Sequence, residues 1–206
     1  MKLPRIKLVS RNPLLVECWM KELSSFREIS FHNCSILETE ADAFVSPANS
    51  FGFMEGGIDQ VYLDFFGMNL EGCIREMIQK DYHGEMLVGQ ADILETGNSR
   101  VPFLVVAPTM RVPMKIVGTI NPFLAFRAIL LLAANSSFSR GKYEGSPVRN
   151  HVRSIAIPGL GTGVGGISPQ QCAHQMKQAI TDISLWPENQ PKTWQEAIEQ
   201  DYDLRE

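Results

Sequence analysis

No run of hydrophobic residues in this chain is long enough to cross a bilayer. The apolar stretch at residues 129–134 falls far short of the roughly 20 residues a spanning helix needs. The N-terminus shows no apolar segment of the signal type, because Lys2, Arg5, Lys7 and Arg11 interleave with a strand pattern. A cytoplasmic protein without a membrane partner is therefore expected. Cysteine is sparse: Cys18, Cys34, Cys73 and Cys172 form no Cys-x-x-Cys pair, and buried free thiols in a reducing compartment are expected. His32, His83, His151 and His174 keep no ligand spacing with each other or with the cysteines, so no metal site is expected. A basic excess is missing too. The net charge is −4, and residues 187–206 carry six acids and two bases. The rest of the chain is neutral. General nucleic-acid binding, which needs a basic face, is disfavoured.

What remains is an ordinary globular composition, 44% hydrophobic and 20% charged over 206 residues. That length suits one domain with a full core. We expect that domain over residues 1–186 and an acidic extension over 187–206, folded as a short helix from Thr193. Strand patterns at residues 6–9, 29–34, 43–45, 88–96, 103–107 and 153–157 alternate with amphipathic helical patterns. Asn12-Pro13, Asn121-Pro122 and Ser168-Pro169 each read as a helix N-cap followed by proline in the first turn. Residues 136–150, polar and broken by Gly141, Gly145 and Pro147, read as a flexible loop. The connection over residues 109–118, which carries Arg111 and Lys115 among apolar residues, is expected to flank a pocket. The pattern as a whole is α/β.

Two glycine-rich stretches stand out. The first runs from the strand at Ala43 through Asn49, Gly52, Gly56 and Gly57 into a helix that carries Asp59 in its first turn. Strand, polar turn, glycine loop and helix start is the order in which α/β proteins build anion sites. The second, Gly159-Leu-Gly-Thr-Gly-Val-Gly-Gly-Ile167, holds five glycines between a buried strand and a helix. A plain turn needs one or two, so backbone N–H groups converging on phosphate oxygens is the favoured reading. It is neither a Walker A loop nor a dinucleotide fingerprint in its first-strand position. For Asn49 and Asp59, structural readings stand beside the functional one. Asn49 can hold its own turn, and a first-turn acid favours the helix dipole.

Val45-Ser-Pro-Ala-Asn49 and Gly56-Gly-Ile-Asp59 resemble the first ligand loop of the macrodomain family, Val-Asn-Ala-Ala-Asn followed by Gly-Gly-Val-Asp. Ile155-Ala-Ile-Pro158 with Thr162-Gly163 resembles the second loop. Gly89-Gln-Ala91 and Val105-Val-Ala-Pro108 are similar to segments between them, and the likeness covers about residues 29–183. It implies a three-layer α/β/α sandwich with a central mixed sheet and a site for ADP-ribose or an ADP-ribosylated protein, with no cofactor. By the same likeness, Ser35 and Ile36 would meet the base. Ala48, Gly56, Gly57, Ile58, Gly159, Gly161, Thr162, Gly163, Val164, Gly165 and Gly166 would line the diphosphate and distal ribose. Asn49 would hold the ribose, and Asp59 would orient water in hydrolysis of mono-ADP-ribosyl esters. A non-catalytic reader and a phosphatase acting on ADP-ribose-1''-phosphate remain the alternatives. Ser35 stands where the family has a carboxylate. Gly165 replaces an aromatic residue, which is expected to leave the ribose end open, with Phe51 and Phe53 as substitute surfaces.

Overall fold

A computed structural model describes residues 2–47 and 49–206. In chain order the elements are β1 (Arg5–Val9), α1 (Pro13–Leu23), β2 (Ile29–His32), β3 (Ala43–Ser46), α2 (Gly57–Phe66), α3 (Asn69–Asp81), β4 (Asp92–Glu95), β5 (Phe103–Val106), α4 (Asn121–Asn135), β6 (Ser154–Ile157), α5 (Pro169–Ser184) and α6 (Trp194–Arg205). The strands form one sheet in the order β2-β1-β6-β3-β5-β4. All neighbours are parallel except β4, which runs antiparallel to β5. Strand alternation divides the core between the two faces of the sheet. Ala43 and Val45 of β3 point to a cluster with Trp19, Phe126, Ile129 and Ile180, under α1, α4 and α5. Phe44 points to the other, with Tyr62, Ile74 and Ile78 of α2 and α3. This is the expected α/β/α sandwich with a mixed sheet. Among the described residues, no helix is long and apolar enough to cross a membrane.

Two of the three expected helix starts hold as read. Asn12 Oδ1 accepts from the Leu14 N–H at 3.1 Å, and Ser168 Oγ from the Gln171 N–H at 3.1 Å. The third does not. Asn121 is already the first helical residue of α4, and its Nδ2 donates to the Thr109 carbonyl at 2.7 Å. Its side chain ties the preceding loop down instead of capping the helix. The strand expected at residues 88–96 shrinks to β4, because residues 87–90 close a turn in which the Gln90 N–H donates to the Leu87 carbonyl. Residues 136–150 are not an open loop. Phe138 and Val148 are buried, a bridge joins Ser137 to Pro147, and the Phe138, Tyr143 and Phe103 rings pack together. Apolar residues at 138, 143 and 148 outweigh the polar composition around them. Of the four thiols only Cys172 is buried; Cys73 is exposed, and Cys18 and Cys34 are intermediate.

The first glycine loop is pinned to α3. A Cβ at Gly52 would lie 2.8 Å from Ile74 Cγ2 and 2.9 Å from Ile78 Cδ1, at a φ of +75°. Gly52→Ala therefore combines overpacking with a left-handed backbone and is expected to cost about 2–4 kcal/mol. A urea midpoint that stays at the parental value would show that the α3 contact yields freely.

Candidate functional site

Because β1, β6 and β3 are adjacent and parallel, their carboxyl ends open on the same edge of the sheet. Crevices at such edges are where open α/β folds place their ligands. A cleft of about 770 Å³ lies there. Its walls bring together most of the residues read from the sequence: Ser35 and Ile36, Asn49, the Gly56–Asp59 helix start, and Gly159 with Gly161 to Gly165. Gly166 is not among the lining residues. Ala48 lies outside the described residues.

Two stretches of backbone that line the cleft carry donors without a partner among the described residues. The α2 N-terminus follows Gly56, which supplies no side-chain cap, so its first-turn N–H groups have no capping partner among the described residues. Across from it, the N–H groups of Thr162, Gly163, Val164 and Gly165 find no acceptor among the described residues. N–H groups left unpaired in a folded protein call for a partner from outside it. Gly163 and Val164 are exposed, so water reaches these donors, and the positive end of α2 in the same cleft favours an anion there.

The glycines of the second loop divide by what a side chain would meet. A Cβ at Gly159 would meet Thr162 Oγ1 at 2.3 Å, and one at Gly161 would meet Ile116 Cδ1 at 2.8 Å. At Gly165 it would lie 2.5 Å from the Gly161 carbonyl and 2.8 Å from Ile116 Cγ1. Gly161 and Gly165 are closely packed over Ile116, and Gly159 against Thr162 and Leu15. Only at Gly163 would a Cβ enter open space without a left-handed φ. Gly165 is therefore not a vacancy left by a lost aromatic ring, since no side chain fits there with this backbone. Val164, 58% exposed, presents the apolar surface at that point instead.

Asp59 sits in the first turn of α2 and accepts a hydrogen bond from Ser46 Oγ at 2.6 Å through Oδ1. Ser46, wholly buried at the end of β3, thereby joins strand end to helix start. Oδ2 makes no hydrogen bond among the described residues. Crowding by protein pushes the Asp59 carboxyl up to about 6, against the downward pull of the Ser46 hydroxyl. It also drives the Tyr62 phenol, buried and donating to the Val45 carbonyl at 2.9 Å, above its ordinary range, the Asp59 charge adding to the burial.

Asn49, 7% exposed, holds its own loop. Its Oδ1 accepts from the N–H groups of Phe51 and Phe53, and its Nδ2 donates to the Phe53 carbonyl at 2.7 Å. An amide nitrogen carries two hydrogens, so one donor remains without a partner among the described residues. Ser35 precedes a 3₁₀ turn over Ile36–Glu38, and its N–H donates to Glu38 Oε1 at 3.1 Å. Phe53 lines the cleft, whereas Phe51 does not and lies under the Arg111 guanidinium at 5.0 Å.

Sequence reasoning missed Ser10 and Arg11 at the end of β1, Cys34 and Glu55, and it named the connection beyond β5 without singling out Thr109, Met110 and Pro113. The connection over residues 109–118 does flank the pocket, but not through its bases. Arg111 is paired with Glu85 at 2.6 Å, and Lys115 lies along Gly166. Strand ends adjacent in the sheet would have pointed to residues 10–11, but β1–β6 adjacency is not visible in one sequence.

The Macro domain family model matches residues 45–176. An uncharacterised protein of Aquifex aeolicus (strain VF5) is 34% identical over 146 residues, covering 71% of this chain and 76% of its own. Among solved structures, the macrodomain of Mycobacterium tuberculosis DarG aligns with a TM-score of 0.55 at 18% identity, covering 73% of this chain and 88% of that one. A variant of the Oceanobacillus iheyensis macrodomain solved with ADPR aligns with a TM-score of 0.55 at 19% identity, covering 80% and 82%. On the family match and the fold together, this chain belongs to the macrodomain family.

Proposed function

We propose that the cleft binds ADP-ribose and that the protein hydrolyses mono-ADP-ribosyl esters of acidic side chains. The observation that carries the first half is the run of N–H groups from Thr162 to Gly165 that find no acceptor among the described residues, in the same cleft as the start of α2. A diphosphate answers both sets of donors. The base lies toward Ser35 and Ile36, and the distal ribose lies between Asn49 and Asp59. The Oceanobacillus neighbour, solved with ADPR, supports the choice of ligand.

For the second half, Asp59 has the properties of a group that orients water. Ser46 fixes one carboxylate oxygen while the other stays free, and a carboxyl titrating at about 6 is charged at neutral pH but remains a better base than an ordinary aspartate. A competing reading, that the protein is a non-catalytic reader, is favoured by the commitment of most of the Asn49 amide to its loop. Calorimetric titration with ADP-ribose, AMP and other nucleotide sugars, paired with single-turnover release from a mono-ADP-ribosylated protein, separates the two. Binding without release would leave the reader. Absence of ADP-ribose binding would overturn both.

The base end gives a narrower test. Aspartate caps a helical turn as well as serine does, so Ser35→Asp should fold normally. It is expected to tighten ADP-ribose about five-fold, because a charge-assisted hydrogen bond exceeds a neutral one by roughly 1 kcal/mol. A weaker Kd for the variant would show that Ser35 does not meet the adenine edge.

A further inference from the structure

The acidic C-terminal segment is tied to the loop beneath the phosphate donors. Gln175 of α5 is fully buried, and every polar atom of its side chain is used. Its Nε2 donates to the Thr119 carbonyl at 2.8 Å and to the Leu204 carbonyl of α6 at 2.7 Å, and its Oε1 accepts from the Phe123 N–H at 3.2 Å. Arg205 Nη1 donates to the Gly118 carbonyl at 2.9 Å, while Gln171 Nε2 holds the Arg205 carbonyl at 2.8 Å. Leu204 is 2% exposed and belongs to the core. The other part of α6 is anchored as well. Asp182 of α5 accepts from Gln178, Asn189 and Gln200, the last of which lies on α6.

From Gly118 and Thr119 the connection to the ligand loops is short. Thr119 Oγ1 donates to the Ile116 carbonyl at 2.7 Å, and the Ile116 N–H donates to the Gly165 carbonyl at 2.9 Å. The Ile116 side chain is the surface against which Gly161 and Gly165 lie. The same loop reaches the other wall of the cleft. Asn121 holds the Thr109 carbonyl, and Thr109 Oγ1 donates to the Pro47 carbonyl at 3.0 Å. One loop therefore underlies both ligand stretches, and α6 grips it at residues 118–119.

We infer that α6 is part of the ligand site's scaffold, with Gln175 and Arg205 as positioning residues that set the height of Ile116 under the phosphate loop. The inference rests on the reading of the cleft as an ADP-ribose site. It gives the tail a function that its acidic composition does not suggest, since the contacts run through Leu204, Arg205 and backbone carbonyls.

The test is hydrogen exchange at the Ile116, Gly166 and Ile167 amides, alongside calorimetry with ADP-ribose, in the full-length protein. Arg205→Ala, at an exposed position, is expected to speed exchange at these three amides about ten-fold, to leave the β3 amides unchanged, and to weaken ADP-ribose about five-fold. Arg205→Lys, which keeps one donor for Gly118, should return both values to within about two-fold of the parent. Leu204→Ala, which loosens the whole end of α6, should exceed Arg205→Ala in both measurements. Unchanged exchange and affinity in a folded Arg205→Ala protein would show that α6 merely docks, and would overturn the inference. If the parent fails to bind ADP-ribose, the ligand reading falls, and exchange at these amides alone decides the coupling.

Discussion

Replacing Asp59 with asparagine is expected to lower release of ADP-ribose from a mono-ADP-ribosylated protein by about 10²-fold, the scale of general-base assistance, while making the folded protein more stable at neutral pH. The two effects share one cause. The native state holds the Asp59 proton up to about pH 6, whereas an ordinary aspartate releases it near 3.8. Between those values the native state binds more protons than the unfolded state, so stability falls as pH rises through the window. Above about pH 6 the whole penalty is present, roughly 1–3 kcal/mol for a crowded carboxylate with one face on the cleft. Asparagine keeps an acceptor for the Ser46 hydroxyl and carries no charge, so the variant should melt higher at pH 7 and converge with the parent below about pH 4. Turnover by the parent should rise with pH through about 6 as the carboxylate forms. ADP-ribose affinity should change far less than turnover, because the diphosphate is held elsewhere and an orienting group acts mainly in the transition state. A variant that releases ADP-ribose as fast as the parent would reduce Asp59 to a first-turn acid braced by Ser46.

Gly163→Val is expected to remove ADP-ribose binding, raising Kd by about 10²-fold or more, with little change in melting temperature. The loss corresponds to one or two hydrogen bonds to a charged group, each worth roughly 1.5–3 kcal/mol. The fold should tolerate valine, since a Cβ at Gly163 meets nothing within 4 Å and the backbone there is not left-handed. Gly165→Ala is the informative contrast. Its methyl group would press on the Gly161 carbonyl and Ile116, so that variant should lose stability as well as affinity. Full-strength binding by Gly163→Val would end the assignment of the diphosphate to this loop.

Local chemistry made much of this fold legible. Asn12-Pro13 and Ser168-Pro169 mark helix starts because a cap and a first-turn proline act within four residues, and the structure keeps both. Asn121-Pro122 carries the same signal, yet a distant carbonyl at Thr109 competes for the amide and wins. The two glycine-rich loops were readable because their glycines are concentrated, and the cleft gathers all but Gly52 and Gly166. Which glycines are bare and which are packed was not readable, because deciding atoms for Gly159, Gly161 and Gly165 belong to Leu15 and Ile116, far upstream in the chain. Ser46 illustrates the same limit. A hydroxyl at the end of an apolar run reads as a strand terminus, and only the geometry shows it bonded to Asp59. Residues 10–11 join the site through strand order, which a single sequence does not encode locally.

The position of β6 in the sheet has a consequence for how the molecule comes into being. It is the last strand in the chain, yet it lies between β1 and β3 and joins the β2-β1 pair to the β3-β5-β4 group. On the ribosome, the five earlier strands are synthesised while the central gap in the sheet is still empty. The two groups have no strand pairing between them until residues 154–157 emerge, and every contact that closes the gap spans more than a hundred residues of chain. Such long closures are slow and are rewarded only when complete. The cleft edge therefore forms late and all at once. A nascent chain stopped before Ser154 should offer no nucleotide site, however well its early helices have formed.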